Sequence, residues 1–299
     1  AASDVYKRQG IFSDQNCSNQ IGTLTTNENG ETNEVEVTAG NVYIKELSAP
    51  KGYKLDTTVH SLKVEAGKTA VLNVSDVPKV TETLVDLFKI DMETGKATAQ
   101  GNATLTGAEF TWHYYDGLYT KDNLPERATR TWVTKTVAEK DSNGNIHYVT
   151  KLADDYKVSG DTFYTQNEKS VLPLGTLTVE ETKAPDGYLL DGAYMQAGDS
   201  TEQIKGIYLT QITEDGELAV LSGSNQYSVS DQVIRGGVKI QNRDMETKDT
   251  KAQGSATLKD AAFAIISLNE NPVLVEGKLY KKNETVKTIQ TGIDGVATT

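Results

Sequence analysis

Internal repetition constrains this chain more than any other feature. Residues 44–56 read IKELSAPKGYKLD and residues 179–191 read VEETKAPDGYLLD, so E-x-x-A-P-x-G-Y-x-L-D occurs twice, with Glu46 matching Glu181, 135 residues apart. A second pair, DMET at 91–94 and at 244–247, runs on into AQGNATLTGAEF (99–110) and AQGSATLKDAAF (252–263), identical at eight of twelve positions and offset by 153. Val-Ser-Asp closes the pattern at 74–76 and at 229–231. A repeat of this length marks a chain of similar supersecondary units, and unequal offsets mark loop insertions within a shared scaffold. Each unit opens on a lysine strand (Phe88-Lys89-Ile90, Val238-Lys239-Ile240), passes the Glu-Ala-Pro-Gly-Tyr segment and closes on Val-Ser-Asp. The order gives the back of one unit, one whole unit and the front of a third.

The units are built of strands. Residues 34–37, 62–64, 71–74, 131–133 and 177–179 are short alternating or β-branched runs, and Asn29-Gly30, Asn143-Gly144, Asp215-Gly216 and Asp294-Gly295 separate strands with turn chemistry. No stretch of a dozen residues keeps a helical period, which predicts an all-β chain of tandem antiparallel β-sandwich modules. Hydrophobic residues make up 37%, enough for thin sandwich cores. Segments 78–83 and 232–237 read as short linkers. The net charge of −12 disfavours a nucleic-acid partner. No apolar run spans a membrane. A single cysteine, Cys17, excludes an internal disulfide and a thiolate metal cluster.

Lys-x-Asp-x-x-Thr-Gly from Lys89, the later Gly-Ala-x-Phe ending at Phe110, and Glu181-x-x-Ala184-Pro185-x-Gly187-Tyr188 together resemble the Cna B-type domain family. These are the prealbumin-like, Ig-like, isopeptide-forming modules of SpaA-type pilins and other Gram-positive surface proteins. The resemblance covers nearly everything from about residue 22 onward. It implies that a lysine on the first strand bonds to an Asn or Asp on the last, assisted by an acidic residue between them. Carried over, Lys89 is the nucleophile, Glu181 the proton shuttle and Asp231 the acceptor, with Asn225 as the fallback acceptor. Glu46 and Asp76 match shuttle and acceptor in the first unit, and Lys239 matches the nucleophile in the third. The closing residue is Asp where Asn is commoner in the family.

These residue types suit that chemistry. An amine attacks only when neutral, which burial favours, and a buried carboxyl is more reactive when protonated. A second desolvated carboxyl can hold a proton between them and pass it to the leaving oxygen. As a strand, residues 87, 89 and 91 share one face.

The expected division is a scar at 1–9, a first domain without its opening strand at 10–80, a complete insertion-bearing domain at 84–236, and the front of a third at 237–299. Residues 4–9 (DVYKRQ) read as the translation of a transposon-type sequencing adapter, so residues 1–9 are expected to carry no structure. The whole reads as an internal piece of a longer protein. The function expected is a stalk or spacer on the bacterial surface, extracellular and cell-wall bound, with neighbouring domains as partners. It needs neither cofactor nor metal and is no enzyme. The alternative is an adhesin module that binds a host or matrix ligand through the aromatic insertion at 112–170, which holds Trp112, Tyr114, Tyr115, Tyr119 and Trp132. Alternation of Phe110, Trp112 and Tyr114 fits a core stripe better. Asp141-Ser142-Asn143-Gly144-Asn145 lacks the distal Glu of a calcium loop and reads as a turn. Residues 172–176 (LPLGT) are a near-miss to a sortase signal and are rejected.

Overall fold

The structure, a computed structural model, describes residues 7–197, 203–213, 215–220 and 223–299. Among these residues 24 strands form, and helix is confined to short 3-10 turns. The strands of the middle region pair into two sheets. One holds β6 (Asp86–Asp91), β9 (Val137–Lys140), β10 (Ile146–Thr150), β15 (Tyr188–Ala197), β16 (Gln203–Lys205) and β18 (Gln226–Val233), in the order β16-β15-β18-β6-β10-β9. The other holds β7 (Glu109–Tyr115), β8 (Arg130–Lys135), β11 (Lys157–Gly160), β14 (Gly175–Lys183) and β17 (Tyr208–Ile212), in the order β11-β8-β7-β14-β17. Pairing is antiparallel except between β6 and β18, which run parallel with Val229 opposite Lys89 and Asp231 opposite Asp91. The opening and closing strands of the unit are therefore neighbours.

The core lies between these sheets, and strand periodicity puts it there. Leu87, Phe110, Trp112, Tyr114, Leu177, Val179, Tyr227 and Val229 point inward from alternate positions of β6, β7, β14 and β18. Trp112 and Trp132 face each other across β7 and β8, both fully buried, and Tyr114 and Tyr115 are buried as well. Four of the five named insertion aromatics thus form interior, not a surface platform, and Tyr119 is half-buried. The sequence alternative that used them for ligand binding fails on this point, because those four rings are removed from water.

The first region forms one sheet: β1 (Arg8–Phe12), β2 (Gln20–Thr25), β3 (Gly40–Ser48) and β4 (Val59–Val64), in the order β2-β1-β3-β4. Its registers repeat those of the middle region. Glu46 pairs with Gln9 as Glu181 pairs with Phe110, and Ile44 lies opposite His60 as Val179 lies opposite Tyr208. So β1, β3 and β4 correspond to β7, β14 and β17. No counterpart of β6 stands among the described residues here, and Tyr53 meets Pro78 through a single bridge where Tyr188 meets Val233 in a full strand pair. The expectation that residues 1–9 carry no structure is corrected for 7–9. Arg8 and Gln9 pair into β1 and Lys7 is buried, because the pocket beneath β3 supplies carboxylates for its amine. Residues 1–6 lie outside the described residues.

The segment joining these regions is also partly strand. β5 (Val80–Thr81) pairs with β13 (Lys169–Pro173), so the expected linker at 78–83 is anchored on the middle region's insertion. The last region pairs β19 (Lys239–Gln241) with β24 (Val296–Thr298), β20 (Ala262–Ile266) with β23 (Thr285–Gln290), and β21 (Val273–Val275) with β22 (Lys278–Tyr280).

Candidate functional site

The candidate site is a buried cluster where β6, β14 and β18 meet. Lys89 sits on the inward face of β6 with Leu87 and Asp91, and all three are fully buried. Its amine lies 2.5 Å from Glu181 Oε2 and 2.6 Å from Asp231 Oδ1. Glu181 reaches in from β14 in the opposite sheet, with its side chain 2% exposed, and Asp231 comes from β18 beside β6. Phe110 covers the amine, its ring centre 5.9 Å away. The structure brings together the three residues that the sequence singled out, from three strands up to 142 positions apart.

The contacts are not equivalent. Lys89 donates a hydrogen bond to Glu181, whereas its approach to Asp231 lacks hydrogen-bond angles and leaves both Asp231 oxygens without a hydrogen bond. Glu181 Oε1 is equally unmatched. A buried carboxylate without donors is costly, so the cluster holds unsatisfied polar atoms that a reaction could remove. Burial pushes the Glu181 carboxyl up from its ordinary 4.5 to about 8, with the Lys89 charge pulling it down and the Asp231 charge adding to the rise. Burial raises Asp231 too, against the pull of Lys89.

The sign of the pH effect follows. Between about 4.5 and 8 the folded chain keeps a Glu181 proton that the unfolded chain has lost. The stability tied to that proton is fully present below about 4.5 and is lost as pH rises through about 8. Any step that needs Glu181 protonated should slow over the same upper limit.

Sequence reasoning missed the support of this cluster. Asp91, two residues along β6 from Lys89, accepts from Tyr188 Oη at 2.9 Å, from the Thr94 amide at 2.8 Å and from Gln100 Nε2 at 3.0 and 3.1 Å. The signal was present: Tyr188 closes the Glu-Ala-Pro-Gly-Tyr box, and Gln100 recurs as Gln253. The fallback acceptor Asn225 is corrected, because its amide donates to the Leu84 carbonyl at the opposite end of β6 from Asp91.

The other matching positions divide. Glu46 and Asp76 come together, and the amine between them is that of Lys7, which contacts Asp76 closely and lies 3.4 Å from Glu46 Oε1. Lys7 enters from the residue just before β1, at the position that Ala108 holds before β7 in the middle region, not from an opening strand. Glu46 Oε2 also accepts from the Asp56 amide at 2.5 Å. Lys239 is exposed on β19 opposite Thr298 and meets no carboxylate among the described residues. Removing the amine from the first cluster should destabilise it. Lys7→Ala leaves two enclosed carboxylates without a cation, at a cost of roughly 3 kcal/mol. Limited proteolysis of the full chain should then cut within residues 49–77 faster than in the parent.

Among the described residues no group of three His, Cys, Asp or Glu side chains is arranged to hold a metal ion. The Asp141 carboxylate accepts from the Asn143 and Asn145 amides and from Asn145 Nδ2, the bonding of a turn. Among the described residues no helix is long and apolar enough to cross a membrane.

Residues 4–78 match the family model of SpaA, a prealbumin-like fold domain. Over those residues the chain is similar to that prealbumin-like domain. Among solved structures, the TIE protein of Bacillus anthracis is 22% identical at a TM-score of 0.49, over 98% of this chain and 40% of that one. A C-terminal fragment of the pilus adhesin SpaC of Lactobacillus rhamnosus GG is 16% identical at a TM-score of 0.38, over 79% of this chain and 93% of that one. GBS52, the minor pilin of Streptococcus agalactiae, is 13% identical at a TM-score of 0.22, over 80% and 87%. This chain thus spans less than half the length of the TIE protein. No curated protein matches the chain.

Proposed function

We propose that this chain is a stalk segment of a bacterial cell-surface protein, a run of β-sandwich modules braced by an internal amide bond between Lys89 and Asp231. The observation that carries this reading is the enclosed Lys89–Glu181–Asp231 cluster, with the amine 2.6 Å from the acceptor carboxyl. Buried ionisable groups at such density are costly as ions and tolerable once joined. The domains are 7–80, 84–236 and 237–299, and their partners are neighbouring domains of the same extracellular, wall-attached protein.

The reaction is a condensation. A proton passes from the Lys89 ammonium to the carboxyl pair, leaving a neutral amine and a protonated Asp231. The amine nitrogen attacks Asp231 Cγ and forms the C–N bond. Glu181 gives its proton to the departing hydroxyl, which leaves as water, and takes the second amine proton in its place. The product is a neutral amide, and Glu181 ends protonated, as it began. The reaction turns over once. Within one sheet it ties the opening strand to the closing strand beside it, where tension on a stalk would otherwise separate them.

The test is the intact mass of the full chain under denaturing conditions. A deficit of one water, about 18 Da, that disappears in Lys89→Ala is expected. A second water lost, sensitive to Lys7→Ala, would extend the chemistry to the first domain. A deficit of about 17 Da, that of ammonia, would keep the function and move the acceptor to an Asn. An unmodified mass would sink the cross-link. Rate supplies another check: on refolding, amide formation should decline above pH 8, where Glu181 loses its proton. Glu181→Gln should abolish it at every pH, as read by quenched mass time courses.

A further inference from the structure

The loop after β6 and the segment after β18 together hold a piece of the next region's backbone. Gln100 Oε1 accepts from the Leu274 amide at 2.8 Å, and Arg235 Nη2 donates to the Leu274 carbonyl at 2.6 Å. Beside them the Gly101 amide donates to the Pro272 carbonyl at 3.2 Å, and Asn271 Nδ2 donates to the Gly101 carbonyl at 3.1 Å. Both backbone groups of Leu274 are engaged, the recognition mode used when a strand edge is captured.

The receiving side is preset. The Gln100 amide nitrogen is committed to the Asp91 oxygens and to Glu93 Oε2 at 2.9 Å. A reversed amide would set its oxygen against carboxylates, so the carbonyl must face Leu274. Glu93 also pairs with Arg235 and orients its guanidinium. The same amide orientation recurs in the next unit, where Gln253 Nε2 donates to Asp244 Oδ1 at 2.9 Å and to Glu246 Oε2 at 3.2 Å. The orientation therefore comes from each unit's own pair of acidic residues and not from the captured segment. Gly101 has φ +60°, a left-handed conformation that side chains resist, and so exposes its amide and carbonyl to residues 271–272.

We propose that Glu93, Gln100 and Arg235 form an interdomain socket for residues 271–274 of the following domain, which makes the joint between the two a fixed one. Glu93 and Arg235 stand two residues beyond the ends of β6 and β18, and Gln100 ties the socket to Asp91 in the support of the Lys89 cluster. A transverse load on the third domain thus enters the middle domain at its braced strands. The joint itself does not require the amide bond. Domains of one chain ordinarily move relative to one another, and the socket fixes this joint with directed hydrogen bonds.

The experiment is a distance measurement by pulsed electron spin resonance on the full chain. Nitroxides would be placed at Lys140→Cys and Thr288→Cys in a Cys17→Ser background, all exposed or loop positions away from the socket apart from Cys17, which is removed as a competing thiol. The expected result is one narrow distance distribution, broadened roughly twofold or more by Arg235→Ala and by Asn271→Ala. The intact mass and melting temperature of each variant show that the middle domain is folded, and the same narrow distribution is expected with Lys89→Ala. A broad distribution in the parent, or a narrow one that survives both substitutions together, would overturn the socket and leave the cross-link untouched.

Discussion

Lys89→Ala should lower the melting temperature of the middle domain by roughly 10–20 °C. Lys89 and Asp231 lie 142 positions apart, so an amide between them closes a loop longer than most disulfides do. The loop-closure entropy removed from the unfolded chain is worth about 4–5 kcal/mol on the disulfide scale, and in a domain of this size each kcal/mol moves the midpoint by about 2–4 °C. Lys89→Ala also strands two buried carboxyls, which adds to the loss. Glu181→Gln separates the two effects. It keeps the Lys89–Asp231 contact but removes the proton carrier, so its melting temperature should also fall if the bond matters and stay near the parent's if only the ion pair does. Calorimetry of the three chains, read beside their masses, decides between a covalent brace and a buried ion cluster.

Trp112→Ala should cost about 3–5 kcal/mol, the range for removing a large aromatic from a packed core. Trp112 is fully buried opposite Trp132, and its indole Nε1 donates to Thr134 Oγ1 at 2.8 Å. Thr134 in turn accepts from Thr150 Oγ1 at 2.7 Å, which links β8 to β10 of the opposite sheet. The substitution thus opens a cavity and frees a buried hydroxyl at the same place. Urea unfolding of the full chain should show the loss as a lower midpoint of the middle transition at unchanged slope. A binding role for the insertion aromatics predicts the reverse: a stable variant with an altered surface. The positions of these rings in the core leave that reading without support.

Much of this was legible from residues alone. Alternation along 86–91 put Leu87, Lys89 and Asp91 on one face, and β6 buries all three. The repeated Glu-Ala-Pro-Gly-Tyr box placed Glu181 by analogy with Glu46, and both stand beside a lysine amine. Strand class, turn positions and the aromatic core stripe follow from period-two patterning and turn chemistry, which are local and therefore written in the sequence. Residues 34–37 and 71–74, read as strands from their alternation, form none, because alternation alone supplies no pairing partner.

Three matters are not local. Which amine fills the Glu46–Asp76 cluster depends on how β1 registers against β3, and that pairing lets Lys7 enter from just before a strand the repeat pattern does not assign to it. Asn225 and Asp231 both lie within the closing segment, and only the parallel register of β18 on β6 brings Asp231 near Lys89 while carrying Asn225 to the far end. The grip of Gln100 and Arg235 on Leu274 joins residues up to 174 positions apart through backbone atoms, which leave no trace in side-chain type. By itself the sequence determined the fold class, because periodicity resides in the residues, and its resemblance to Cna B-type domains pointed to the members of the cluster. Tertiary structure alone decided which groups meet, because register and domain docking are set by long-range packing that no short segment contains.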